Sequence, residues 1–306
     1  MSKINKSIIL LLATYNGEKY IREQLESIIS SKYPNLRIIV SDDGSKDKTL
    51  DILEMFAKQY PYISVIKHST EPHGAFYNFA NLIQYVKEQN LQADYYMFSD
   101  QDDVWKADKI EKSLLEIQKH DSAIPILVYT SKQYVDENLN PIDFKIKSEE
   151  EFDINILHQN KTYGCTFIFN NLVMEKLDSK APVFFVNYDH YTSFQAYLFG
   201  KVIYLPEKTI MYRQHGNNVS GCVNKSFLDR ISIRKKYKSN IMLFKELISY
   251  SFQYKDFLSE KDRSIIETLQ KGIASRIHLF FASLNCRIHK NSILGTIQFY
   301  LAILFC

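Results

Sequence analysis

Cysteine is sparse. The four in this 306-residue chain, Cys165, Cys222, Cys286 and Cys306, lie far apart and form neither a CxxC pair nor a zinc-like cluster, so they read as reduced structural thiols. Charge of one sign is not in excess either: 38 Lys and Arg against 35 Asp and Glu leave a net +3, too small to indicate nucleic acid. No apolar run is long enough for a confident membrane span. The Ser7–Ala13 run is short and lacks a small-residue cleavage site, so the expectation is a first strand rather than a signal peptide, in a cytosolic domain. The apolar tail from Ile293 to Cys306 is broken by Gln298. A GxxxxGK[ST] phosphate loop is missing, as is a GxGxxG turn after the first strand, so ATP hydrolysis and nicotinamide chemistry have no support.

What is present is a globular composition, 45% hydrophobic and 24% charged, long enough for one large α/β domain or a main domain with a C-terminal appendage. Short apolar runs alternate with helical periodicity through the first half. Strands are expected over residues 7–13, Leu36 to Val40, Tyr62 to Ile66 and Tyr95 to Phe98. A helix from about Asn16, with the Asn16 side chain as N-cap, carries Ile21, Leu25 and Ile28 on one face. Later helices carry Leu50, Leu53 and Phe56, then Ala75, Phe79, Leu82, Ile83 and Val86. This repetition argues for a doubly wound, mostly parallel sheet with helices on both faces.

Two acidic clusters follow directly on strand runs: Asp42-Asp43-Gly44-Ser45 and Asp100-Gln101-Asp102-Asp103. Carboxylates at the carboxyl ends of strands are poor core material but suit a nucleotide and a divalent cation. Right-handed crossovers bring both clusters to one sheet edge with Ala13, Thr14, Tyr15 and Asn16. Tyr15 can stack on a base and Asp42 can accept from a base imino group, although Asp43-Gly44-Ser45 also reads as a plain turn. Asp100 and Asp102, one residue apart, can face the same way and hold Mg²⁺ or Mn²⁺; the alternative is a solvated polar loop. Asp103 braces that loop or reaches a sugar hydroxyl, and Trp105 either walls an acceptor pocket or packs locally. Farther on, Arg213 offers a fork donor to phosphate or an ordinary salt bridge, and His215 a metal ligand, a diphosphate contact or a loop-organising bond. Gly164 and Cys165 are candidates for lining the acceptor site through their backbone, with no nucleophilic work for Cys165.

Ala13-Thr14-Tyr15-Asn16-Gly17, Ser41 to Ser45, Ser99 to Trp105, and Tyr212-Arg213-Gln214-His215-Gly216-Asn217-Asn218-Val219 occur in the order found in a known family. Over residues 7–221 the chain resembles the inverting family-2 glycosyltransferases with the GT-A fold, especially the bacterial rhamnosyltransferase-like branch. The resemblance implies a nucleotide-diphosphate sugar held by Ala13, Thr14, Tyr15, Asn16, Asp42, Asp100, Gln101 and Arg213. It makes Asp102 the principal metal ligand, with His215 as a further one, for Mg²⁺ or Mn²⁺. It also implies a carboxylate general base, for which Asn187-Tyr188-Asp189-His190-Tyr191 nominates Asp189; a helix cap is the plain reading of that residue. Tyr188 stands where the branch often has histidine, and His190, which follows instead, is the second candidate base. The implied reaction moves a sugar, L-rhamnose from dTDP-β-L-rhamnose, to a hydroxyl of a lipid-linked glycan for a bacterial surface polysaccharide. UDP-hexose or UDP-N-acetylhexosamine donors are the alternative, and a non-catalytic nucleotide- or carbohydrate-binding module is a second.

After about residue 222 the character changes. Arg230, Arg234, Lys235, Lys236 and Lys238 precede an apolar, aromatic stretch, and Arg276, His278, Phe280, Phe281, Arg287 and Lys290 repeat the mixture. The expected division is a catalytic domain over 1–221 and a helical extension over 222–306. That extension either lies on the inner face of the cell membrane, packs on the core or forms a homodimer.

Overall fold

The structure is a computed structural model that describes residues 6–143, 152–157, 162–182, 184–185, 187–216, 233–290 and 293–305. Asn217, Asn218, Val219, Cys222, Arg230 and Cys306 lie outside the described residues, as do the side chains of Arg234, Lys235, Lys236 and Lys238. The chain divides into two compact units. One comprises Met1–Glu149 and Thr162–Gly221; the other joins Glu150–Lys161 to Cys222–Cys306. The first is therefore discontinuous, where the sequence suggests an unbroken 1–221.

The first unit is built on an eight-stranded sheet. Its strands are β1 (Ile8–Thr14), β2 (Leu36–Asp42), β3 (Ile63–Lys67), β4 (Tyr95–Ser99), β5 (Val104–Trp105), β6 (Ile126–Val135), β7 (Phe167–Asn170) and β8 (Lys201–Arg213), in the order β3-β2-β1-β4-β7-β6-β8-β5. Every residue of β1 is buried, as expected of a strand covered on both faces. β3, β2, β1 and β4 run parallel, joined through α1 (Ile21–Ile29), α2 (Thr49–Gln59) and α3 (Ala75–Glu88). Beyond β4 the sheet becomes mixed. β7 is antiparallel to β4 and β6, β8 runs parallel to β6, and β5 is antiparallel to β8. With α4 (Lys109–Ile117), α5 (Asn171–Lys176) and α6 (Tyr188–Phe199) it forms an α/β fold with helices on both sides of the sheet.

The strand ends converge as their registers require. Thr14 of β1 sits beside Asp42 of β2, and Leu12 beside Ser99, so the residues that follow share one edge. Asn16 does not cap a helix: α1 begins at Ile21, and Asn16 is a loop residue at φ 46° whose side-chain oxygen accepts from the Lys46 N–H at 2.9 Å. An asparagine tolerates this left-handed backbone better than most residues. β5 is two residues long, yet its pairing of Val104 with Met211 and Trp105 with Ile210 delivers the end of β8 to the Asp102-Asp103 turn.

The second unit is helical. It contains α7 (Ile233–Gln253), α8 (Glu260–Gly272), α9 (Arg276–Asn285), α10 (Ile293–Phe305) and the 3₁₀ turn Ile154–Leu157. Leu247, Ile248, Ile266, Leu269, Leu279 and Ile303 are buried, and Phe244 meets Phe299 edge to face at 5.2 Å. Ser259 and Ser275 cap α8 and α9 through their hydroxyls, each satisfying an otherwise orphaned N–H. Asn155, in the 3₁₀ turn, is tied to the rest of this unit: its side-chain oxygen accepts the His289 N–H at 2.9 Å. Among the described residues no helix is long and apolar enough to cross a membrane.

Candidate active site

The first-strand loop is held from three directions. Gln101 accepts from the Thr14 hydroxyl at 2.6 Å and the Tyr15 N–H at 2.8 Å, and donates to the Tyr15 carbonyl at 3.0 Å. Asn78 of α3 donates to the carbonyls of Thr14 at 3.1 Å and Ser41 at 3.0 Å, tying the ends of β1 and β2 together. The Ser45 hydroxyl accepts the Asn16 N–H at 2.8 Å. Gln101 is thus a scaffold for the loop. Tyr15 is left 51% exposed with its ring available for stacking, whereas Ala13 and Thr14 are buried. Asp42 is also committed. It is buried, and its carboxylate accepts from the Gly44 and Ser45 N–H groups at 3.1 and 2.8 Å and from the Ser45 hydroxyl, which closes the turn.

The second acidic loop gathers most of the remaining charge. Nε2 of His215 lies 2.8 Å from Oδ2 of Asp102, and the His215 ring stacks on Tyr20 at 5.0 Å, so two residues 113 apart in sequence form one pair. Arg213 does not point a free fork at a ligand. It is buried; Nε donates to the Asp102 carbonyl at 2.8 Å, the terminal nitrogens reach the Glu137 carbonyl and the Glu23 carboxylate, and the guanidinium lies over Tyr20 at 4.6 Å. Its backbone N–H donates to Asp103 Oδ1 at 3.0 Å. Arg213 and Asp103 therefore brace the loop, as one of the two readings of Asp103 has it. The second oxygen of Asp103 is buried without a hydrogen-bond partner, and burial together with Asp102 and Asp100 raises its pKa well above the carboxylate range.

Asp189 lies in the first turn of α6. Its Oδ1 accepts the His190 N–H at 2.7 Å, its Oδ2 accepts the Gly164 N–H at 3.3 Å, and Asn187 is the N-cap, making no side-chain cap bond. A Cβ at Gly164 would come 3.2 Å from the Cβ of Asp189 and 3.4 Å from Phe98, so glycine permits this approach. The negative charge of Asp189 reaches Asp100. Burial, then Asp102, then Asp189 push the Asp100 carboxyl from 3.8 up to about 7, although part of the residue still meets solvent. His190, the second candidate base, is buried, with its ring edge-on to Phe185 at 5.3 Å and Phe194 at 6.1 Å. The side chains of Trp105 and Cys165 are buried in the hydrophobic core. The Trp105 ring carries the buried Lys109 ammonium at 4.8 Å, and burial lowers the Lys109 pKa to about 8.

Three carboxylates thus act on one another around Asp100, a donor set whose hard oxygens and mutual repulsion fit a divalent cation. His215 Nε2 stands against Asp102 beside this set, and ligand atoms of Asp100, Asp103 and Cys165 lie within 4.8 Å of one another. Sequence reasoning missed Asn78, Glu23 and the partners of Asp43, which are His68 and His73, both with Nδ1 at 2.6 Å from its Oδ1. The available signal was topological: His68 follows β3 and His73 precedes α3, at the same sheet edge as Asp43.

The parallel β3-β2-β1-β4 half-sheet, with an Asp-x-Asp loop after β4 and a third carboxylate on α6, fits the GT-A α/β fold that the resemblance implies. Residues 9–176 match the profile of glycosyl transferase family 2, and the chain belongs to that family. It is 32% identical over 250 residues to the dTDP-rhamnosyl transferase RfbG of Shigella flexneri, covering 74% of this chain and 77% of that protein, and so is rhamnosyltransferase-like. An uncharacterized glycosyltransferase of Haemophilus influenzae is 25% identical over 304 residues, 96% of this chain and 91% of that one. Among solved structures, S. aureus TarS 1-349 in complex with UDP-GlcNAc superposes with a TM-score of 0.59 at 17% identity, over 97% of this chain and 79% of that one. The mannosyltransferase PcManGT from Pyrobaculum calidifontis, in complex with GDP-Man and Mn²⁺, gives 0.54 at 13% identity, over 92% and 74%. At these identities the two structures speak for the fold alone.

Proposed function

We propose that this glycosyltransferase moves L-rhamnose from dTDP-β-L-rhamnose to a hydroxyl of a lipid-linked glycan, with inversion at the anomeric carbon. The observation that carries the chemistry is the convergence of Asp189 on the Asp100–Asp102 loop, which sets a base candidate beside two ligand candidates. Asp189 accepts the proton of the acceptor hydroxyl as its oxygen attacks the anomeric carbon; the bond to the dTDP oxygen breaks and the nucleotide leaves with that electron pair. Tyr15 faces the base, and Asp42 shapes the turn beside it. Mg²⁺ or Mn²⁺, held by Asp102 with Asp100 and His215, would offset charge on the leaving diphosphate. The choice of donor rests on the likeness to RfbG. A donor panel with the purified full chain tests it: release of dTDP from dTDP-β-L-rhamnose supports the reading, and turnover of UDP-sugars alone overturns it.

In this reading the acceptor lies at the inner face of the cell membrane. α10 supports this: at about 20 Å, from ~1.5 Å per residue, it is shorter than a hydrocarbon core of about 30 Å. It nevertheless exposes Ile293, Leu294, Ile297, Leu301 and Phe305 along one arc. Residues 276–305 contain no Asp or Glu, while Arg276 and Arg287 are exposed, a pattern suited to lying on an anionic surface. Full-length protein should sediment with anionic vesicles, and L294E/L301E should not. A change in oligomeric state with vesicle binding intact would assign this face to a homodimer instead.

A further inference from the structure

We propose that Asp43, His68 and His73 form a second metal site, selective for Zn²⁺, separate from the Asp100–Asp102 loop. Three elements bring the ligands together: Asp43 follows β2, His68 follows β3 and His73 precedes α3. Both imidazole Nδ1 atoms lie 2.6 Å from the same oxygen of Asp43. Two donors crowd one oxygen at distances below the usual ~2.9 Å for N–H···O. A cation between them relieves this, because tetrahedral ligands at ~2.0–2.1 Å from zinc stand roughly 3.3 Å apart. Opening by some tenths of an ångström is within reach of His73, whose side chain is 41% exposed.

The surroundings resemble a prepared site. The other Asp43 oxygen accepts the Gly74 N–H at 2.7 Å, which fixes the carboxylate's direction. Nε2 of His73 lies 3.5 Å from the carboxylate of the exposed Glu71, close enough to take up an outer carboxylate–histidine contact once a metal holds Nδ1. Gly74, at φ 121°, makes the turn from this cluster into α3. Two imidazoles and one carboxylate favour zinc over Mg²⁺ or Mn²⁺, which prefer oxygen, and leave a fourth position for water or a phosphate oxygen. Asp43 directly follows Asp42, so the ion would stiffen the turn assigned to the nucleotide.

Zinc titration of the chelator-stripped full-length chain, followed by calorimetry and metal analysis after dialysis, tests the site. Wild type should retain one more equivalent of Zn²⁺ than H73Q, with the affinity of the variant lower by at least the ~10–100-fold that losing even an outer partner costs. The same difference should persist in a D102N/H215Q background, which removes the other histidine–carboxylate pair. Exposed His73 keeps the test independent of folding, and H68Q serves as a second variant once circular dichroism shows it folded. Equal zinc content in wild type and H73Q overturns the proposal and leaves a hydrogen-bonded triad. Zinc lost only in the D102N/H215Q background overturns it as well.

Discussion

Replacing Arg213 with lysine separates a brace from a phosphate ligand. The guanidinium is buried and spends its donors on the Asp102 carbonyl, the Glu137 carbonyl and Glu23, none of which a single ammonium can reach together. Losing one charged hydrogen bond costs about 1.5–3 kcal/mol, and a buried carbonyl left unpaired costs about 1–3 kcal/mol more. Part of this is recovered because Glu23 is 49% exposed and can turn to water. A net loss of about 3 kcal/mol follows, a fall in melting temperature of roughly 6–12 °C. Donor-free thermal and urea unfolding of R213K against wild type reads it directly. An unchanged melting temperature with a raised donor KM would refute the bracing account and restore Arg213 as a phosphate fork.

Other consequences are as specific. In metal-free protein, the Asp100 carboxyl binds its proton more tightly folded than unfolded, since its pKa rises from 3.8 to about 7; stability should fall as pH climbs through that window, and D100N should flatten the fall in urea titrations at pH 5 and pH 8. Asn78→Ala removes the two bonds joining the β1 and β2 ends, so unfolding should be easier by ~1–3 kcal/mol and the donor KM higher in the surviving fold. Chelation should stop transfer and added Mn²⁺ or Mg²⁺ restore it; full activity after rigorous metal removal contradicts the role given to Asp102. Gly164→Ala should lower kcat, because the new methyl meets Asp189 at 3.2 Å, and an unchanged kcat would show that Asp189 has room to move.

The parallel half of the sheet was legible because β1, β2 and β4 are apolar runs that lead directly into polar residues, Thr14, Asp42 and, just past β4, Asp100. Pattern alone carried those placements. The mixed half was not, since the directions of β7 and β8 are set by pairing with β4, β5 and β6, strands that lie far earlier in the sequence. His190 illustrates the limit: in a run of aromatic and polar residues with a weak amphipathic pattern, nothing local shows that Phe185 and Phe194 enclose it. Asn16 read as a helix cap because asparagine serves caps and left-handed loops alike. Arg213 looked like a ligand because its partners, Glu23 and Glu137, lie far away in sequence.

The carboxylate account is tested most directly by D189N, measured for donor binding and transfer on the same preparation. Asn keeps the size of the side chain and its place beside Gly164 while losing the basic oxygen. The variant should bind dTDP-β-L-rhamnose about as well as wild type and lose transfer by about 10²–10⁴-fold, the range general-base catalysis supplies. Wild-type turnover in a folded D189N protein would contradict the assignment of Asp189.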